Sequence, residues 1–289
     1  MKPAPFDYVV AEDAADAVAA LGRYGDEAKV LAGGQSLLPM LALRLARPAA
    51  LVDINHCGEL GGFAESVGTL TVGALARQRD LERWARTRSP LFQEVLASVA
   101  HAPIRNRGTV VGNLVHADPA SELPALLLCL DGVVRAKGPK GERLIPAEKL
   151  YMAPLSTSLE PAELATQVRF TLPPDGAGWG FAEVARRHGD FALVGCVTTL
   201  TLDGSGLVSH ARLGFFGVGG TPVRSAAGEA LLLGREPTEA RRVEAARAAA
   251  AALLPDGDLH ATAAYRKQVA AVLAERVLGA AVGRCRKPR

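Results

Sequence analysis

Residues 32–48 read AGGQSLLPMLALRLARP. Two glycines follow an apolar run, a polar Gln-Ser pair comes next, and a segment of helical pattern closes at a proline. Lacking Cβ, glycine reaches positive φ and lets a ligand approach the backbone. Successive N–H groups then form a nest for phosphate oxygens. A helix beginning just behind adds its positive end, and Ser36 offers a hydroxyl donor. A Gly-Gly pair alone is as often a tight turn, so the surrounding chain has to decide.

Upstream, AEDAADAVAALGRYG (11–25) predicts a helix capped by Asp13, with Ala14, Ala17, Val18 and Leu21 on one face. AKVLA (28–32) reads as a short buried strand, LLPMLALR (37–44) as a helix and ALVDI (50–54) as a second strand. This strand–loop–helix–strand unit suits a small parallel or mixed sheet.

Beyond residue 55, TLTVGAL (69–75) reads as a strand, and QRDLERWART (78–87) and PLFQEVLASVA (90–100) as helices. HAPIRNRGTVVGN (101–113) reads as a loop rich in turn residues. SELPALLLCL (121–130) reads as a buried helix capped by Asp118 or Ser121, and ATQVRFTL (165–172) as a strand. FTLPPDGAGWG (170–180) breaks the pattern and marks a boundary. After it, residues 191–220 read as two apolar strands joined by Asp203-Gly204-Ser205-Gly206. Alanine-rich helices from about Glu229 to Leu278 should cover one face of that last sheet.

The chain of 289 residues has room for two or three subdomains. Its 49% apolar and 22% charged residues describe an ordinary soluble globular protein, and a net charge of +3 is too balanced to suggest nucleic acid. The basic tail GRCRKPR (283–289) reads as a solvated terminus. MKPAPFDYVV lacks the apolar core of a signal peptide, and no run approaches membrane-spanning length, so a cytoplasmic location is expected. Cys57, Cys129, Cys196 and Cys285 include no CxxC pair and hence no zinc or iron–sulfur signature. Cys129 and Cys196 sit in apolar runs as core filler.

RNRGTVVGN (105–113) is a second glycine-bearing loop, followed by His116-Ala117-Asp118-Pro119 and Ser121-Glu122. Two such loops from separate subdomains could clasp a long, doubly charged ligand, and a dinucleotide fits. There is no GxxxxGK[ST] for a P-loop and no GxGxxG for a Rossmann site. Gly217-Val218-Gly219-Gly220 leads into Thr221-Pro222 rather than a helix. Plainer roles stand beside these: Asp118 and Glu122 as helix caps, His116 as a satisfied loop histidine, Arg105 and Arg107 as a solvated loop. Arg186, Arg187 and His188 read as surface charge, and Trp84 and Trp179 as packing anchors.

Four stretches in order, residues 32–54, 72–82 (VGALARQRDLE), 105–132 and 186–195 (RRHGDFALVG), resemble the FAD-binding medium subunit of molybdenum hydroxylases, a family including xanthine dehydrogenases and aerobic carbon monoxide dehydrogenases. The resemblance runs from residue 4 to about 235. It implies an α+β chain: a two-subdomain FAD-binding fold of the vanillyl-alcohol-oxidase/PCMH type (1–55 and 56–175), then a smaller C-terminal α+β domain (176–289) with a helix-covered sheet. By position, Ala32, Gly33, Gly34, Gln35 and Ser36 would hold the FAD pyrophosphate through backbone N–H groups, with Leu37 also in the cofactor set. Thr109, Gly112 and Asn113 would hold it from the other side. His116, Ser121 and Glu122 would follow the ribityl and adenosine parts, with Ala117 and Asp118 also in the cofactor set. Asp190 and Phe191 would lie near the isoalloxazine, and His101, Ile104 and Leu150 would complete the cofactor set.

The sequence departs from the family at three places. Val111 replaces the first of two paired glycines, Phe191 stands where relatives often have tyrosine, and Ala182 stands near a lysine of the xanthine-oxidising relatives, which often also have Asp at the Glu122 position. The resemblance implies an electron-transfer subunit without a catalytic side chain of its own. Molybdopterin would sit on a large partner and [2Fe–2S] clusters on a small one, in a dimer of heterotrimers, with a quinone, NAD or oxygen as acceptor. A stand-alone flavin oxidoreductase and a binding module that has lost FAD remain the alternatives.

Overall fold

The computed structural model describes residues 2–285. The last four residues of the basic tail, 286–289, lie outside the described residues. The architecture is α+β, with three main sheets met in chain order.

The first unit comprises β1 (Asp7–Val10), α1 (Ala14–Tyr24), β2 (Ala28–Leu31), α2 (Leu37–Ala42) and β3 (Ala50–Asp53). Its strands lie parallel in the order β1-β3-β2. Asp13 caps α1, its carboxylate accepting the N–H groups of Ala15 and Asp16 at 2.7 and 2.8 Å. Ala14, Ala17, Val18 and Leu21 are buried, as the helical spacing predicts. β1 carries no clear signal in the sequence, because its residues, all exposed but half-buried Val9, show no alternation; its pairing with β3, more than forty residues on, defines it.

The second unit contains β4 (Phe63–Ser66), β5 (Thr69–Gly73), α3 (Gln78–Arg88), α4 (Pro90–Ser98), α5 (Ala102–Arg107), α6 (Val110–His116) and α7 (Glu122–Cys129). It continues through β6 (Val133–Gly138), β7 (Gly141–Pro146), the short β8 (Tyr151–Ala153) and β9 (Ser156–Thr157), and β10 (Leu164–Thr171). An antiparallel sheet runs β4-β5-β10-β6-β7. All eight residues of α7 are buried, which explains its unbroken apolar run. Residues 101–113, expected as a loop, instead form α5 and α6. Pro103 is accommodated in the first turn of α5, and Thr109 caps α6 through its side chain. Residues that punctuate turns also start helices.

The third unit is β11 (Gly178–Ala185), β12 (Ala192–Leu202), β13 (Val208–Phe216), β14 (Val223–Arg224), α8 (Ala226–Leu232), α9 (Glu239–Ala251) and α10 (Ala263–Arg284). The antiparallel order β11-β12-β13-β14 includes the expected β12–β13 hairpin. β12 is apolar along both faces because both are covered. Val197 joins the core beneath the first two units, whereas Val194, Cys196 and Leu200 join a second core with α8, α9 and α10. Cys129 and Cys196 are buried free thiols. Trp84 packs edge-on to Phe63 and Phe92, and Trp179 lies beneath the Arg284 guanidinium, 3.6 Å from the ring centre.

Candidate functional site

The loop between β2 and α2 turns on Gly34, whose φ of +71° belongs to the left-handed region. The Leu38 N–H closes on the Gly34 carbonyl at 2.9 Å and starts α2. Among the described residues, no acceptor takes the backbone N–H groups of Gly33, Gly34, Gln35 or Ser36. The Gln35 side chain curls back and donates to the Gly33 carbonyl at 3.1 Å. Ser36 is exposed and spends its hydroxyl on no cap. Leu37 opens the helix. The loop is a row of free donors.

The second loop lies directly behind the first. A Cβ on Gly33 would stand 2.5 Å from the Arg107 carbonyl oxygen and 2.9 Å from Gly108 Cα. Only glycine permits that approach. The second loop spends most of its N–H groups. Val110 N–H donates to the Ala76 carbonyl at 3.1 Å, and the Gly108 carbonyl accepts Gln78 N–H at 2.9 Å. Thr109 is buried, and its hydroxyl oxygen accepts Gly112 N–H at 3.1 Å. Asn113 N–H donates to the Thr109 carbonyl at 3.1 Å, and its side-chain carbonyl accepts the Ser121 hydroxyl at 2.8 Å. Val111 is 2% exposed and packs into the core, leaving half-buried Gly112 and Asn113 as the accessible face of α6.

Two residues absent from the sequence reading join the loops. Asn55 donates from Nδ2 to the Ala32 carbonyl at 2.9 Å and accepts from Arg77 Nη2 at 2.8 Å. Arg77 Nη1 donates to the Arg107 carbonyl at 2.7 Å. Burial and the neighbouring Arg107 charge lower the pKa of the Arg77 guanidinium. Only the polarity of these residues hinted at this; their partners lie too far along the chain for spacing to show.

Arg105 is not part of a solvated loop. It is buried, with Nε on Glu82 at 2.9 Å and Nη1 on the Val99 and Ala100 carbonyls at 2.8 and 2.9 Å. Arg107, by contrast, is exposed.

Glu122 begins α7, is 6% exposed and, among the described residues, finds no hydrogen-bond partner beyond its own backbone N–H. Burial first, then the nearby Glu183 and Asp118 charges, push its pKa up to about 8 against weaker opposing contributions that include Arg105. Burial alone pushes Glu183 up to about 7. Glu183 lines a cavity of about 580 Å³ together with Glu94, Phe181 and Arg186–His188. Asp118 accepts Ala120 N–H at 2.9 Å ahead of α7, while Ser121 occupies the cap position without a cap bond. His116 is half-buried in the last turn of α6.

The remaining predicted residues divide between two places. His101 is exposed at the start of α5, and Gly189 rests on its imidazole ring, with an added Cβ 2.2 Å from it. The Gly189-Asp190-Phe191 turn thus reaches the α5 end of the second loop, with Asp190 exposed and Phe191 71% exposed. Three residues offer little to a ligand. Ile104 is half-buried, with its carbonyl on Gly108 N–H. Ala117 is buried, with its carbonyl on Leu155 N–H, and Leu150 is wholly buried with both backbone groups bonded within the chain.

A three-sheet α+β chain with one open and one largely bonded glycine turn in contact has the form of a nucleotide-diphosphate binder. The family described as the FAD binding domain in molybdopterin dehydrogenase matches residues 4–173, and that described as the CO dehydrogenase flavoprotein C-terminal domain matches residues 179–281. The chain is 41% identical to the alpha subunit of the 6-hydroxypseudooxynicotine dehydrogenase complex of Paenarthrobacter nicotinovorans, across 99% of this chain and 97% of that one. It is 36% identical to the carbon monoxide dehydrogenase medium chain of Hydrogenophaga pseudoflava, across 99% and 100%. A solved carbon monoxide dehydrogenase from that organism, lacking the Mo-pyranopterin moiety of its cofactor, superposes with a TM-score of 0.95 at 38% identity, covering 99% of this chain and 100% of that one. Quinoline 2-oxidoreductase of Pseudomonas putida 86 gives 0.90 at 33% identity, covering 98% and 99%. The chain belongs to the family of FAD-binding medium subunits of multi-subunit molybdenum hydroxylases. Its fold is accordingly the PCMH-type FAD-binding fold followed by the flavoprotein C-terminal domain.

Proposed function

We propose that FAD lies across the two touching loops, with its pyrophosphate on the free N–H groups of Gly33, Gly34, Gln35 and Ser36. The single observation that carries this reading is that row of donors, braced from behind by Arg107 and Gly108. Unpaired N–H groups converging on one concave turn suit anionic oxygens. Asn113, whose side-chain carbonyl takes the Ser121 hydroxyl, and Ser121 itself serve the second side of the pyrophosphate and the sugar beyond it. The Gly189–Phe191 turn, resting on His101, covers the flavin end with an apolar ring.

FAD, when bound, supplies the redox chemistry, passing electrons from [2Fe–2S] clusters of a small partner subunit to a quinone, NAD or oxygen. The protein binds and orients it. A molybdopterin-bearing large subunit oxidises the substrate, in a cytoplasmic dimer of heterotrimers. Among the described residues, no three His, Cys, Asp or Glu side chains converge as metal ligands. No described helix is long and apolar enough to cross a membrane. Relatives include a carbon monoxide dehydrogenase and a caffeine dehydrogenase, and we assign the choice of substrate to the large subunit.

The test is the visible absorption spectrum of the purified chain after FAD addition and removal of excess, alone and co-expressed with its partners. A bound flavin spectrum is expected. A colourless chain in both preparations would overturn the proposal.

A further inference from the structure

Asn55 and Arg77 belong to neither glycine loop, yet each touches one. Asn55 follows β3 and is oriented by Asp53, whose Oδ1 accepts both the Asn55 N–H at 2.9 Å and Nδ2 at 2.6 Å. Nδ2 also reaches the Ala32 carbonyl, and Oδ1 faces Arg77. Arg77 is held by an isolated antiparallel bridge to Thr109, and its carbonyl accepts the Asp80 and Leu81 N–H groups at 3.1 and 3.2 Å. A continuous run of hydrogen bonds therefore leads from the Ala32 carbonyl through Asn55 and Arg77 to the Arg107 carbonyl. It ends where Gly33 lies on Arg107 and Gly108.

Each link is directional. The amide of Asn55 can donate to Ala32 and accept from Arg77 in only one orientation. The planar guanidinium presents two N–H groups in a fixed fork, which a lysine ammonium does not. Aspartate at position 55 would lose the donor and crowd Asp53. Neither residue needs to touch a ligand to matter, because both carbonyls they hold belong to the backbone that shapes the open loop.

We propose that Asn55 and Arg77 are positioning residues that act as one clamp, holding loop 32–36 against residues 107–109 so that its N–H groups converge. The clamp rests on the FAD reading above only for its functional consequence. The test compares Asn55→Leu, Arg77→Met and the double variant in the full chain, by FAD titration and by amide hydrogen exchange without FAD.

Each single change should weaken FAD binding about tenfold, and the double change no more than either alone, since the residues form one unit. In the flavin-free chain, either single change should speed exchange in both loops together. Arg77→Lys should fail to restore either readout. Losses that multiply in the double variant, or exchange changes confined to the altered residue's own loop, would overturn the clamp, as would unchanged FAD affinity in a chain whose wild type binds it. Coupled exchange with no FAD binding even in the wild type would support the clamp and remove the FAD reading instead. Should the apolar variants misfold by circular dichroism, Asn55→Ala and Arg77→Gln carry the same comparison.

Discussion

The two glycine loops look alike in sequence and differ in what they offer. Among the described residues, loop 32–36 leaves four successive N–H groups without partners, whereas Gly108, Val110, Gly112 and Asn113 spend theirs on Ile104, Ala76 and Thr109. One presents donors; the other presents a rigid wall. Glycine serves the first by reaching φ +71° at Gly34 and the second by admitting close packing at Gly108 and Gly112. A glycine-rich loop is therefore identified as an anion site by its unspent hydrogen bonds, not by its composition.

The largest expected effect falls on the open loop. Gly34→Val places a branched side chain at positive φ, 3.0 Å from Leu38 Cδ1 and 3.2 Å from Leu31 Cδ1. FAD affinity should fall more than about hundredfold, or ~3 kcal/mol, while far-UV circular dichroism stays native. Retention of one flavin per chain would erase the distinction between the loops.

The wall should respond in stability first. Arg105→Leu removes the buried partner of Glu82 and strands the Val99 and Ala100 carbonyls. Breaking such a pair costs about 3–5 kcal/mol, to be read from urea unfolding. Thr109→Val, which removes the cap of α6, should cost about 1 kcal/mol and change FAD affinity less than Gly34→Val. Equal flavin loss in Thr109→Val and Gly34→Val would make the loops equivalent after all.

Glu122, behind the same wall, gives a pH signature. Burial and the Glu183 and Asp118 charges raise its folded pKa from 4.5 to about 8, so the native state holds a proton that the unfolded chain releases. Its stabilising contribution is complete below pH 4.5 and is lost as pH rises toward 8. Glu122→Gln should flatten the decline in urea midpoint across that window. An unchanged pH profile would mean that Glu122 is ionised in the native chain.

How far these differences can be read from sequence depends on the range of the interaction. α1 declares itself through Asp13 and the spacing of Ala14, Ala17, Val18 and Leu21, all within one helix. The β12–β13 hairpin declares itself through two apolar runs about a short Gly-rich turn. α5 and α6 mislead because Pro103, Gly108 and Thr109 are equally turn formers and helix boundaries, and only the realised cap bond decides. The contact of Gly33 with Gly108, and the bonds of Asn55 and Arg77 to the two loops, join residues 22 to 75 positions apart and have no local signature. The burial of Arg105 is of the same kind, since its charge argues for solvent until Glu82 is found beside it.

The most direct measurement is amide hydrogen exchange on the full chain with and without FAD. The strongest slowing should fall on residues 33–37, where N–H groups gain acceptors, with only slight change at Val110, Gly112 and Asn113, where they already have them. Protection confined to 109–113, or absent from both loops in a chain that holds FAD, would contradict the assignment of the pyrophosphate to the open loop.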